Sequence, residues 1–167
     1  MINRSTLDVK IGEVSDQCGS LGVYALETLR SESKLKKCGD YYFYTCKNTN
    51  YLVGYVGKEA APKLPENYNG EQYVINGYAF CYMDNITKVT IPAGVSGIST
   101  FAFYHCPNLK SVHIPKGLRS AQTCAFSGLC TGFTVYCEAK KPLLGTPLGW
   151  QKRWHGDNAT VVWGSKD

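Results

Sequence analysis

The sequence of 167 residues has few charged side chains and no long apolar run. Asp, Glu, Lys and Arg make up 19% of the chain, below the roughly 25% that is usual, which excludes a coiled coil or a charged helical rod. No apolar run approaches the roughly 18 residues that a membrane helix needs. The first twenty residues also lack the apolar stretch of a signal peptide. We therefore expect neither a membrane-spanning segment nor a signal peptide in this sequence.

Motifs that carry chemistry are also scarce. The sequence contains no CxxC, HExxH, GxSxG, GxGxxG or GxxxxGK[ST] pattern, so zinc, hydrolase, dinucleotide and P-loop sites have no support. His105 precedes Cys106, but adjacent residues of an extended chain point to opposite faces and make a poor nucleophile–base pair. We expect no cofactor, no metal and no enzymatic activity. A cysteine-dependent enzyme is the alternative within that class.

Apolar and aromatic residues are plentiful instead. Hydrophobic residues reach 44%, which argues against a disordered chain. Aromatic residues reach 13% and include twelve Tyr, and such residues are favoured in strands. The excess of five positive charges lies in residues 84–167, which suits either an acidic partner or an ordinary solvated basic face. No nucleic-acid-binding signature accompanies it, so we expect no nucleic-acid partner.

Eight cysteines leave two interpretations open. An even number can form a disulfide framework, but such frameworks belong mostly to short secreted domains without a core. A buried thiol can equally act as a small apolar side chain. The sequence therefore predicts either mostly reduced, packed thiols or one or more bridges. The cysteines are Cys18, Cys38, Cys46, Cys81, Cys106, Cys124, Cys130 and Cys137.

An internal repeat with a step of 23 residues determines the predicted fold. The dipeptide Ala-Phe occurs at 79–80, 102–103 and 125–126, and Ile-Pro occurs at 91–92 and 114–115. Valines recur with the same step at Val89, Val112 and Val135. A period of about 20–29 residues is typical of stacked solenoids and of leucine-rich repeats in particular.

Each repeat contains one short predicted strand. Alternation places Val89 inward, with Lys88 and Thr90 outward, and Pro92 ends the strand because it cannot donate to the ladder. The same parity applies to the next two repeats. The predicted outward row is Lys88, Thr90, Ser111, His113, Thr134 and Tyr136, with Lys110 beside it.

The stretch VTIPAGVSGISTFAFYHCPNLKSVHIP (89–115) resembles the BspA-type leucine-rich repeats. It has the Ile-Pro strand end, Val-x-x-Ile, Ala-Phe, a Cys three residues later and Leu-x-x-Val-x-Ile-Pro. Cys106 occupies the Cys position, where Met83 and Leu129 stand in neighbouring units, which favours a packed thiol there. The resemblance covers residues 64–137 and implies a mainly β leucine-rich-repeat solenoid of about three 23-residue units with irregular N- and C-terminal caps.

The two flanks are predicted to be those caps. Residues 1–63 form the N-terminal cap, with a β-hairpin at 41–57, whereas 21–37 fit a helix or a strand equally well. Residues 138–167 form a Trp-rich C-terminal cap with a last strand at 159–164. Its tryptophans are either packed cap residues or a platform for sugar stacking. These are Trp150, Trp154 and Trp163.

The resemblance also implies a function. The family suggests a non-enzymatic cell-surface or secreted module that mediates adhesion or protein–protein interaction, located outside the cell or on its surface. Its partner would be a protein or a glycan on a host or neighbouring cell, bound by the predicted outward row. The alternatives are a structural spacer or cap of a larger surface protein, a glycan-binding module and the cysteine-dependent enzyme.

Overall fold

The computed structural model describes residues 35–143 and 145–166, and within them every regular element is a β-strand. Most of the 21–37 segment, which the sequence left between helix and strand, lies outside the described residues. The strands are β1 (Lys36–Cys38), β2 (Tyr41–Cys46), β3 (Thr49–Tyr55), β4 (Tyr73–Ile75), β5 (Lys88–Thr90), β6 (Val95–Ile98), β7 (Ser111–Ile114), β8 (Ser120–Ala121), β9 (Thr134–Cys137) and β10 (Thr160–Trp163).

The chain winds into a β-solenoid whose turns alternate between two sheets. The long sheet has the order β1-β2-β3-β4-β6-β8, and the short sheet has the order β10-β9-β7-β5. From β3 onward neighbouring strands pair in parallel, whereas β1, β2 and β3 pair antiparallel. The predicted leucine-rich-repeat solenoid is therefore confirmed.

The number of turns differs from the prediction. The solenoid has about five turns rather than about three units, because both flanks also coil. Lys63 pairs with Thr90 in an isolated parallel bridge, which adds a turn before β5. Trp150 pairs with Ala121, and β10 pairs with β9, which adds a turn after the last Ala-Phe unit. Each turn also carries a second strand position, such as β6, on the side predicted only as a return.

The core consists of side chains stacked in columns from turn to turn. Phe80, Phe103 and Phe126 stack with ring centroids 4.8 and 5.2 Å apart. The alanine before each phenylalanine is fully buried, so the three Ala-Phe dipeptides lie in register. The columns arise because a single turn cannot bury its apolar face without a neighbour.

At the C-terminal end the core is closed by tryptophans. Trp154 is 1% exposed and packs edge-on against Phe126. Trp150 is also buried, and its indole N–H donates to the carbonyl of Leu118 at 3.2 Å. The sugar-platform interpretation is therefore wrong for these two rings, since neither presents a face to solvent. Trp163 packs partly buried against the same core.

The cysteines of the described residues are thiols rather than disulfides. Cys106 is fully buried, and its Sγ donates to the carbonyl of Phe80 at 2.9 Å. Met83 is buried in the equivalent position of the preceding turn, as expected for an apolar column. In the part of the chain that the structure describes, no helix has the length and apolar character to cross a membrane.

Candidate ligand-binding face

The outward surface of the short sheet gathers the side chains that the sequence predicted. The parallel register of β5, β7, β9 and β10 sets them in two columns, which together we call the short-sheet face. The first column is Lys88, Ser111, Thr134 and Thr160. The second column is Thr90, His113, Tyr136 and Val162.

Exposure follows the expected alternation along each strand. Lys88 and Thr90 are exposed on either side of the fully buried Val89. Val112 and Val135 are also fully buried, whereas their outward neighbours are partly exposed. Ser111, His113, Thr134 and Tyr136 form that partly exposed set. The structure thus brings all six predicted residues onto one surface.

Two rings on neighbouring strands of this face stack on each other. His113 and Tyr136 stack with centroids 4.8 Å apart and 17° between their planes. They are direct cross-strand neighbours, and such aromatic pairs contribute about 0.5–1.5 kcal/mol beyond their buried area. The pair places an imidazole and a phenol side by side on the face, and groups of both kinds can hydrogen-bond to a ligand.

Lys110 lies at the entrance to β7, beside Lys88. Its amide donates to the carbonyl of Thr87, and its carbonyl accepts from the amide of Thr134, both at 2.9 Å. Its backbone is therefore held between two turns while its side chain stays exposed. This fixes the seventh predicted residue at the margin of the face.

Three further residues belong to the face and were missed in the sequence. Lys63 is exposed and extends the second column beyond Thr90 through the isolated bridge. The alignment of Leu64-Pro65 with Ile91-Pro92 placed Lys63 opposite Thr90 once the insertion between them was allowed for. That signal was available. No such signal existed for Thr160 and Val162, because their turn departs from the 23-residue step.

The lysines on and beside the face give it a mainly basic character. Lys63, Lys88 and Lys110 are exposed on or beside it, and neither column contains a carboxylate. The nearby Glu138 accepts a hydrogen bond from the backbone amide of Lys116 instead. A partner with acidic side chains therefore complements this surface.

The thiol of Cys137, in one strand of the short sheet, is poorly suited to nucleophilic chemistry. Cys137 ends β9 with its side chain buried, and burial raises the pKa of that thiol to about 12. The reactive form of cysteine is the thiolate.

A small pocket is lined by residues 126–129, 133 and 157–159. Its volume of about 150 Å³ is below the roughly 300 Å³ of the smallest typical ligand pockets.

Comparison with known proteins identifies the repeats. A family model described as the BspA type leucine rich repeat region matches residues 72–138, in six copies. These residues are therefore similar to BspA-type leucine-rich repeats. The resemblance predicted from residues 64–137 is therefore confirmed.

A solved structure shares the fold. It is described as a leucine rich cell surface protein from Faecalibacterium prausnitzii, and it is 23% identical with a TM-score of 0.52. The alignment covers 77% of this chain and 42% of that one, so this chain spans less than half the length of the similar protein. A search of curated proteins found no match.

Proposed function

We propose that this chain is a non-enzymatic binding module of a cell-surface or secreted protein, and that it binds an acidic protein partner through the short-sheet face. The observation that supports this most directly is the in-register face itself. It combines three lysines, a stacked His113–Tyr136 pair and hydroxyl groups without a carboxylate. Basic, aromatic and hydroxyl groups together suit a polar protein interface.

The location outside the cell is supported by similarity of fold. The similar solved structure is described as a cell surface protein. Because this chain spans 42% of that protein's length, we propose that it acts as a module of a longer surface protein. A module role is consistent with solenoids, which present extended faces to macromolecular partners.

The size of the face sets the expected strength of binding. Four strands of about four residues cover roughly 200 Å², well below the about 800 Å² per partner of a standard interface. We therefore expect the two columns to supply the central contacts and adjoining loops to supply the remainder. Binding should be weak to moderate and sensitive to salt, because exposed charges are screened.

The test is adhesion of beads that carry the full chain to cultured cells. The Lys88→Ala, His113→Ala and Tyr136→Ala variant should lose adhesion, whereas Lys152→Ala, which removes an equal charge outside both columns, should keep it. Pretreating the cells with trypsin should abolish adhesion, and pretreating them with glycosidases should not. Adhesion that survives trypsin, or that is equal in the triple variant, rejects this function.

A further inference from the structure

A second candidate surface lies on the connection from the long sheet to the short sheet, away from the short-sheet face. Five aromatic rings from two consecutive turns touch one another there, with centroids 5.0–5.8 Å apart. We call this cluster the aromatic tile. It consists of Tyr78, Tyr82, Phe101, Tyr104 and His105. Four of the side chains are half-buried and His105 is exposed, so ring surfaces face solvent.

The backbone beneath the tile is conformationally costly. Four of the five residues have φ between 56° and 62°, in the left-handed region that favours glycine; Tyr104 is the exception. In the next turn, Gly128 occupies the position equivalent to Tyr82 and His105, with φ at 70°. Glycine is thus sufficient for this turn, and the aromatic side chains add a cost that glycine avoids. Such outliers cluster where a side chain serves a function.

The neighbouring turn leaves space for one ring of the tile. A Cβ atom built at Gly128 would lie 2.5 Å from Nδ1 of His105. The imidazole therefore extends over Gly128 and occupies the space that a side chain would fill. Tyr104 stacks with His105 at 30° and meets Tyr82 edge-on at 88°. The tile thus combines flat faces with a raised edge.

The tile is separate from the core and contains no carboxylate, lysine or arginine. Phe80 and Phe103 lie within two residues of its members in the sequence, but they are fully buried and belong to the core column with Phe126. The tile has no Lys, Arg, Asp or Glu, and no aliphatic side chain. Protein interfaces mix such groups with aromatic residues, whereas amphipathic rings alone suit an uncharged ligand with one apolar face.

We propose that the aromatic tile binds a neutral glycan, with the C–H faces of pyranose rings stacked on the aromatic faces. The sugar hydroxyls would hydrogen-bond to phenol and imidazole groups at the tile's margin. Rings from equivalent positions on two turns offer a repeating surface, so a chain of several sugars fits better than a monosaccharide. This site is independent of the short-sheet face, and either can fail without the other.

The test uses defined neutral hexasaccharides, β-1,4-linked glucose and β-1,4-linked galactose, titrated into the full chain by calorimetry. At least one should bind saturably. The double variant Tyr82→Gly and His105→Gly should weaken that binding at least tenfold while keeping or raising the melting temperature, because glycine relieves the left-handed backbone. Cys124→Gly is the matched control: Cys124 has φ at 57° and lies outside the tile, so its binding should be unchanged.

Three outcomes overturn the proposal: no binding to either hexasaccharide, undiminished binding by the double variant, or tighter binding of an acidic peptide to the tile than of both glycans. If the double variant melts at a lower temperature, Tyr104→Leu decides the question, since it keeps apolar volume and removes a ring. Undiminished glycan binding by Tyr104→Leu would then overturn the proposal, and its loss with an unchanged melting temperature would support it.

Discussion

The imidazole of His113 stacks on the phenol of Tyr136 across β7 and β9, with 4.8 Å between centroids. The two residues are direct neighbours in the parallel register although they lie 23 positions apart in the chain. One outward position per turn therefore becomes part of a continuous surface. The short-sheet face therefore exists because the 23-residue repeat places equivalent side chains next to one another.

A double-mutant cycle should measure this pair. We expect His113→Ala and Tyr136→Ala to lower the free energy of unfolding by amounts that are not additive, with a coupling of about 0.5–1 kcal/mol. Urea unfolding of the single and double variants gives the coupling. A cycle of Lys88→Ala with Tyr136→Ala should be additive, because these residues lie two strands apart. Additive losses for His113 and Tyr136 would contradict the stacking.

The phenylalanine column should dominate stability. Phe103 is fully buried between Phe80 and Phe126, so Phe103→Ala should cost about 3–5 kcal/mol of unfolding free energy through lost burial and a cavity. Phe101→Gly is a sharp comparison, because Phe101 is half-buried with φ at 57°. Thermal unfolding should show a large fall for the first variant and little or no fall for the second. Equal falls would place Phe101 in the core.

Thiol labelling should separate packed cysteines from a catalytic one. Cys106 and Cys137 are fully buried, and burial raises the pKa of the Cys137 thiol to about 12, so a disulfide reagent at pH 8 should modify neither in the native protein. Cys38 is exposed and should react. Mass spectrometry of labelled peptides identifies the sites, and full labelling in urea is the control. Rapid modification of Cys106 or Cys137 would support the cysteine-dependent enzyme instead.

Alkaline pH should destabilise the protein through two buried phenols. The hydroxyls of Tyr41 and Tyr73 donate to the carbonyls of Lys63 and Pro65 at 2.9 and 2.7 Å. Desolvation raises the pKa of both above the ordinary value of 10.0, so the folded state keeps protons that the unfolded chain loses. Their contribution is full below about pH 10 and falls as the pH rises above it.

Replacing one of these phenols should reduce that dependence. Tyr73→Phe should cost about 1 kcal/mol at pH 8 through the lost hydrogen bond, yet it should lessen the fall in stability between pH 10 and 11. Urea midpoints at pH 8, 10 and 11 measure both effects. An unchanged fall would show that the Tyr73 phenol does not contribute to it.

The repeat made much of the fold and the site predictable. The 23-residue step and the alternation around Val89 were enough to place Lys88 and Thr90 outward, and the same reasoning extended to β9. Strand β6 was missed because Ser96 and Gly97 are weak strand formers. Gly97 lies so close to Ser120 of the next turn that an added Cβ would be 2.5 Å from its Oγ.

The last turn of the solenoid and the aromatic tile could not be predicted from the 23-residue repeat. The amide of Cys124 donates to the carbonyl of Arg153, just as the amide of Tyr78 donates to the carbonyl of Phe101. Arg153 is therefore equivalent to Phe101, and Trp154 occupies the position that alanine has in the other turns. Because tryptophan replaces alanine there, the last turn lacks the Ala-Phe dipeptide by which the other repeats were recognised. The tile depends on positive φ values at aromatic residues. The sequence did not predict these values, because aromatic residues rarely adopt them.

The most direct test of the central claim is charge reversal on the short-sheet face, measured as bead adhesion to cells. Lys63→Glu, Lys88→Glu and Lys110→Glu together should remove adhesion. The control Lys140→Glu, Lys141→Glu and Lys152→Glu makes the same change in net charge at exposed positions outside both columns, and it should retain most adhesion. Equal adhesion by the two variants would contradict the account, because net charge rather than this face would then govern binding.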